Sequence, residues 1–234
     1  MLMSSWMLFS KQEGEITLEN ELDASNFLYN DSIYSSEFRD ILEKITLCYY
    51  LLRKDKIVVP LNDENGIRDI LVNKYLNNSK IKRIIKLEYF ILPEVPETTS
   101  LGRTDIRVFS PNTFYNQNEY YLIECKRLGR KAQRGSSGLN YKYIANGIQR
   151  FTSGFYSSFY KVNGMIGFIV ESIDITKNVG NINYLLENNF GSIKTVSFLT
   201  QEHFIQNFEF HFSSVHKTED GFPLRLYHLM FNFI

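Results

Sequence analysis

Three side chains set at close intervals carry most of the chemistry in this chain. In the stretch Leu101–Lys126, Asp105 stands in one β-prone run (Leu-Gly-Arg-Thr-Asp-Ile-Arg-Val-Phe). Glu124 and Lys126 stand in the next (Tyr-Tyr-Leu-Ile-Glu-Cys-Lys). Side chains alternate faces along a strand, so Glu124 and Lys126 point one way and Cys125 the other. If the two runs pair, Asp105 comes near Glu124, and two carboxylates then share a small volume with one ammonium. Adjacent carboxylates repel unless a cation lies between them. The pattern reads either as a hard-metal site with a lysine beside it or as a salt-bridged patch. Cys125 as a nucleophile has no histidine near it in sequence to activate it.

A fourth acid belongs with these. Glu64 precedes Ile67 by three residues and Leu71 by seven, which puts it on the core-facing side of a helix. Burying an unpaired carboxylate is costly, so Glu64 either pairs with Arg68 one turn on or looks into a polar site under the helix. Directly after Lys126 comes a basic run, Arg127, Arg130, Lys131 and Arg134, leading into Gly135-Ser136-Ser137-Gly138. A charge run is by default a solvated loop, but this position suits contact with phosphates. Gln149 and Arg150, further on, face either a groove or plain solvent.

The elements that must hold these residues follow from periodicity. Phe38, Ile41, Leu42, Ile45, Cys48, Tyr49 and Leu52 repeat at helical spacing, with Ser35 or Ser36 as cap, Glu37 in the first turn and an end near Lys54. A second helix opens at Asn62 or Asp63, carries Ile67, Ile70, Leu71 and Tyr75, and stops at Asn77-Asn78. Ile81–Leu92 reads as a strand broken by Pro93, Pro96 and Thr98-Thr99-Ser100. Arg103–Phe109 and Tyr120–Leu128 follow as strands joined by the polar connection Ser110–Glu119, in an antiparallel meander. Asn140 is expected to cap a long helix to about Tyr160, with Gly147 and Gly154 sharing a face for close packing. Met165–Val170 reads as a buried strand joining in parallel after the helical crossover. Ile175–Asn189 reads as a helix, and Thr195–Leu199, Phe208–Val215 and Leu224–Phe233 are β-prone, the last open between strand and helix. Ser10–Leu28 is acidic and is expected to be extended or loop. His216 is expected at the surface and His228 in the core.

The bulk numbers narrow the class. At 234 residues the chain holds one domain with a sizeable core and a small helical addition. Lys and Arg number 26, equal to Asp and Glu, so any nucleic-acid contact must rest on a local basic patch and not on overall charge. Two cysteines supply neither a disulfide framework nor a zinc site, which leaves a reducing cytosol as the expected setting. The start of the chain lacks the basic segment of a signal peptide, and no run approaches the roughly 18 apolar residues of a membrane span.

Helix with an acid, strand, strand with an acid, strand with Glu-x-Lys, helix, strand: this order resembles the PD-(D/E)xK nuclease superfamily. Asp105 matches its first acid, with Thr104 where the motif has proline. Glu124 and Lys126 match its (D/E)-x-K with Cys125 as the variable residue, and Glu64 matches the acid often carried by the first core helix. The likeness spans residues 62–172. Tyr143–Phe151, Ser214-x-His216-Lys217 and Leu226-Tyr227-His228 bear a looser likeness to small nuclease-like proteins of bacterial anti-phage defence loci.

The resemblance implies an α/β fold with a restriction-endonuclease-like αβββαβ core and a mixed central sheet flanked by helices. Residues 1–60 would form an N-terminal helical extension, and residues 61–234 the nuclease-like domain with a C-terminal β-rich extension. It implies catalysis by Asp105, Glu124 and Lys126. Mg²⁺, or Mn²⁺ in its place, would be held by Asp105, Glu124, Glu64 and the main-chain carbonyl of Cys125. Arg127, Arg130, Lys131, Arg134, Gln149 and Arg150 would contact nucleic acid, DNA ahead of RNA. The expected setting is the cytoplasm, with no membrane contact, with a helicase or ATPase partner subunit or a homodimer to restrain cleavage. A non-catalytic interaction subunit on the same fold is the alternative, and a tRNA-splicing or Holliday-junction type of nuclease a third reading.

Overall fold

In the structure, a computed structural model, residues 28–96, 103–110, 119–156 and 160–234 are described. The expectations for residues 1–27, for Thr98-Thr99-Ser100, for Leu101 and Gly102, and for most of the Ser110–Glu119 connection lie outside them. The fold is α/β. Among the described residues seven strands form one mixed sheet in the order β1-β2-β3-β4-β7-β6-β5, with helices on both faces.

Helix α1, Leu28–Lys54, lies along one face of the sheet. Its apolar positions are those expected: Phe38 stacks on Tyr121 at 4.8 Å between ring centroids and Tyr49 on Phe231 at 4.2 Å. It starts earlier than Ser35, and Glu37 accepts hydrogen bonds from Tyr121 (2.6 Å) and Tyr89 (3.1 Å) across the core boundary. Helix α2, Glu64–Asp69, continues as a wider π-helical stretch over Ile70–Leu76 and shares that face.

Residues Ser79–Ile85 form helix α3, which corrects the strand expected over Ile81–Leu92. The Asn78 side chain accepts from the Lys80 and Ile81 amides and caps the helix, and Lys86 in the left-handed region at φ 52° ends it. A cap and a stop outweigh the β propensity of three isoleucines. Strand β1, Phe90–Pro96, then runs through both prolines, which were expected to break it. It is the edge of the sheet, where a residue without an N–H forfeits no essential ladder bond.

Strands β2, Arg103–Phe109, and β3, Tyr120–Leu128, have the expected limits and complete an antiparallel meander with β1. Helix α4, Leu139–Tyr143, leads through a π-helical turn, Ile144–Ile148, into α5, Gln149–Thr152. The helical stretch therefore ends before the expected Tyr160. Gly154, at φ +68°, reverses the chain and shares no helix face with Gly147. Gly138 occupies the capping position, while Asn140 is buried and bonds Asn178 and the Gln133 carbonyl. Gly147 does lie close to the sheet: a methyl there would run into Met165 and stand 3.8 Å from Lys126 Cγ.

Strand β4, Val162–Ile169, is buried along its whole length and parallel to β3, as a helical crossover demands. Helix α6, Ile175–Asn189, covers the same face as α4 and α5. Strands β5, Thr195–Gln201, β6, His211–Lys217, and β7, Pro223–Asn232, continue the one sheet. The last run is thus a strand, parallel to β4. His228 is buried as expected. His216 is fully buried too, between Ser214 and Thr195, and not at the surface. Among the described residues no helix is long and apolar enough to cross a membrane.

Candidate active site

The register of the meander sets the site. Ile106 pairs with Ile123, which brings Asp105 opposite Glu124 one step beyond the last backbone pair. There the ladder passes from backbone to side chain: Asp105 Oδ2 accepts the Cys125 amide at 2.8 Å. Leu122 and Leu128, of the same parity as Glu124 and Lys126, pack in the core under α4–α6, while Ile123 and Cys125 face α1. The Glu124 and Lys126 side chains therefore share the α4–α5 face, as strand alternation requires.

Lys126 Nζ is the hub. It lies 2.7 Å from Glu124 Oε1, 3.0 Å from Glu64 Oε1, 3.5 Å from Asp105 Oδ2 and 2.7 Å from the Cys125 carbonyl oxygen. Glu64 does not pair with Arg68. Its other oxygen accepts the Arg127 amide at 2.8 Å, so the first residue of α2 is tied to the end of β3. Arg68 goes elsewhere. Its side chain is 2% exposed and donates to Asp105 Oδ1 (3.0 Å), Asp69 (2.8 Å) and Glu94 (2.9 Å). Glu94, flanked by the pairs Pro93–Ile106 and Val95–Thr104, sits across the ladder from Asp105, so Arg68 separates two acids that would otherwise repel.

Glu124 has a side chain only 2% exposed. Tyr156 donates to its Oε2 at 2.7 Å, and Arg150 Nη1 reaches Oε1 at 3.2 Å. Burial, and then the nearby Asp105 charge, push its carboxyl up to about 7 in spite of Lys126 and Tyr156. Burial pulls the Lys126 ammonium the other way, but Glu124, Asp105 and Glu64 outweigh it and hold the amine above its ordinary value. Burial and Asp105 likewise raise the Cys125 thiol, which disfavours the thiolate that a nucleophile needs.

These groups form the floor of a cleft of about 370 Å³. Glu64 and Asn65 line one side and Lys142, Asn146 and Arg150 another, with Arg103 and Arg127 also at its wall. Of the residues expected to meet nucleic acid, Arg127 and Arg150 line this cleft. Arg130, Lys131, Arg134 and Gln149 do not. Arg134 turns away to bond Asn181 at 2.7 Å and to cover the Tyr184 ring. Arg68 entered the sequence reading only as a possible partner for Glu64, and Arg103, Lys142, Asn146 and Tyr156 carried no expected role in the site. Lys142, Asn146 and Arg150 recur every four residues, a polar helical stripe that is legible in the sequence. Tyr156 gives no such signal, because only the reversal at Gly154 brings it back to β3.

Among the described residues no three His, Cys, Asp or Glu side chains form a group able to hold a metal ion. The acids are gathered round an ammonium instead. The four oxygens about that ammonium are nevertheless all hard donors, from three carboxylates and one carbonyl, and they already accommodate one positive charge. That donor chemistry fits a small divalent cation such as Mg²⁺. No family model, curated protein or solved structure matches this chain.

Proposed function

We propose that the protein is a metal-dependent nuclease that hydrolyses phosphodiester bonds of DNA, on a fold of the restriction-endonuclease-like kind. One observation carries the reading. Asp105 stands opposite Glu124 on adjacent strands, and Lys126 lies against both at the floor of a cleft with basic walls. The element order α2, α3, three antiparallel strands, α4–α5 and parallel β4 supports it, differing from the αβββαβ order of that superfamily by the added helix α3.

Asp105, Glu124 and the Cys125 carbonyl are the groups that would hold Mg²⁺ or Mn²⁺, with Glu64 as the further acid within reach of Lys126. The chemistry such an ion supplies when bound is a polarised phosphate and a water of lowered pKa. The rest falls to the chain. Lys126, kept protonated by its acids, orients the attacking water or neutralises charge developing on the phosphate. Arg150, Lys142 and Arg127 offer positive charge to the flanking phosphates.

The assay is incubation with supercoiled plasmid, linear duplex, single-stranded DNA and RNA, each with Mg²⁺, with Mn²⁺ or with chelator. DNA cleavage that needs the metal is expected. A second reading has its own observation: Lys126, Arg68 and Arg150 already neutralise the three acids, as in an ion-pair network of a non-catalytic interaction subunit. No cleavage of any substrate in either metal selects that reading.

A further inference from the structure

After Thr152 the helix ends, and Gly154 at φ +68° turns the chain back on itself. The Tyr156 amide donates to the Arg150 carbonyl at 3.3 Å, and the phenol returns to Glu124. Three groups meet this hydroxyl: Glu124 Oε2 at 2.7 Å, Arg150 Nη1 at 3.1 Å and the Arg103 carbonyl oxygen at 3.3 Å. A phenol has one proton. It goes to the carboxylate, the shorter and charge-assisted partner, while the Arg150 N–H occupies a phenol lone pair. Phe155 holds Arg150 from the side, its ring 5.1 Å from the guanidinium carbon. Tyr156 itself is 2% exposed, so no water competes for the bond.

The consequence concerns the shape that Glu124 presents. Oε2 is engaged inward by Tyr156, and Oε1 alone meets Lys126 at the cleft floor. We propose that Tyr156 is a positioning residue that restricts Glu124 to single-oxygen ligation and so selects Mg²⁺-sized cations over Ca²⁺. This rests on the nuclease reading of the site. The selectivity follows from coordination chemistry. Mg²⁺ and Mn²⁺ accept one oxygen per carboxylate in a tight octahedron, whereas Ca²⁺ takes six to eight oxygens and gains from bidentate carboxylates. Releasing Oε2 gives Glu124 the second mode.

The test is calorimetric titration of the intact protein with MnCl₂ and, separately, CaCl₂, for wild type, Tyr156→Phe, Glu124→Gln and the double variant. Tyr156→Phe is expected to raise Ca²⁺ affinity relative to Mn²⁺ by about tenfold. That shift is expected to vanish in the Glu124→Gln background, since the phenol acts through this carboxylate. An unchanged ratio in Tyr156→Phe overturns the proposal, and so does a shift that persists without Glu124. A crystal structure of the wild type with Mn²⁺ reads the same point without any variant: Glu124 bound through one oxygen supports it, and bidentate Glu124 overturns it. Wild type that binds both ions but cleaves nothing removes the nuclease reading and leaves the selectivity comparison intact. Wild type that binds neither ion overturns both.

Discussion

Lys126 Nζ donates to Glu64 Oε1 at 3.0 Å, joining the first residue of α2 to a strand 62 positions later in the chain. The same carboxylate accepts the Arg127 amide, so one side chain fixes both the charge and the backbone at the end of β3. Glu64→Gln keeps a carbonyl oxygen for that amide, and Glu64→Ala keeps neither contact. With Glu64 28% exposed, solvent weakens the ion pair. Urea unfolding is expected to place the alanine variant about 1–2 kcal/mol below wild type and the glutamine variant within about 1 kcal/mol of it. Equal losses in the two would show that the amide contact does not matter.

Arg68 is the more severe case. It is buried and answers Asp105, Asp69 and Glu94 together. Arg68→Met removes the cation shared by Asp105 and Glu94, but Lys126 stays 3.5 Å from Asp105 and Glu94 is 42% exposed, so the loss is on the order of 2–3 kcal/mol. Arg68→Lys supplies the charge without the planar fork and is expected to recover only part of it. Chemical denaturation measures both variants. A lysine variant as stable as wild type would mean that charge alone suffices there.

Glu124 makes stability depend on pH in an unusual sense. Its folded carboxyl is raised to about 7 from an ordinary 4.5. The folded state therefore holds a proton that the unfolded chain has released, and stability falls as pH rises from 4.5 through 7. The span corresponds to roughly 3 kcal/mol. Glu124→Gln lacks this dependence, so its stability relative to wild type is expected to improve by about that amount between pH 4 and pH 8. Urea midpoints at the two pH values check it, and a constant difference would show that Glu124 titrates normally.

The buried histidines act in the opposite direction. Tyr143, His228, Ser214, His216 and Thr195 form one hydrogen-bonded chain with contacts of 2.8 to 3.1 Å. Burial lowers His216 to about 4 and holds His228 well below its ordinary range. Both are neutral when folded, so the unfolded chain takes up their protons first. Their stability is whole above 6.5 and is lost as pH falls toward 4, roughly 3 kcal/mol for His216 alone. His216→Gln is expected to flatten that acid limb, measured in the Glu124→Gln background to remove the opposing group. The Tyr143 hydroxyl bonds His228 Nδ1 and is buried, so it donates there. The proton then sits on His228 Nε2 and, passed on through Ser214, on His216 Nδ1. Nitrogen-15 chemical shifts report both tautomers, and the reverse assignment would contradict this order.

How much of this was legible in the sequence depends on whether a feature is local. The limits of β2 and β3, and the common face of Glu124 and Lys126, follow from strand alternation alone. The helical stripe of α1 follows from its period. The pairing of Asp105 with Glu124 needed the register, which period-two patterns do not reveal. Residues Ile81–Ile85 misled because β-branched composition hid a capped helix. Tyr156 and Arg68 were illegible as site residues. One reaches Glu124 only through a left-handed glycine, and the other passes over its neighbour Glu64 for an acid 37 residues on.

Under the proposed function, Asp105, Glu124 and Lys126 act together on one phosphodiester. The most direct measurement is the rate of plasmid and linear DNA cleavage in Mg²⁺ by wild type, Glu124→Gln and Lys126→Ala, prepared identically and shown to be folded. Metal-dependent cleavage by wild type, reduced about 100-fold or more in each variant, is the predicted result. Cleavage that survives both substitutions, or that survives chelation of the metal in wild type, would contradict it.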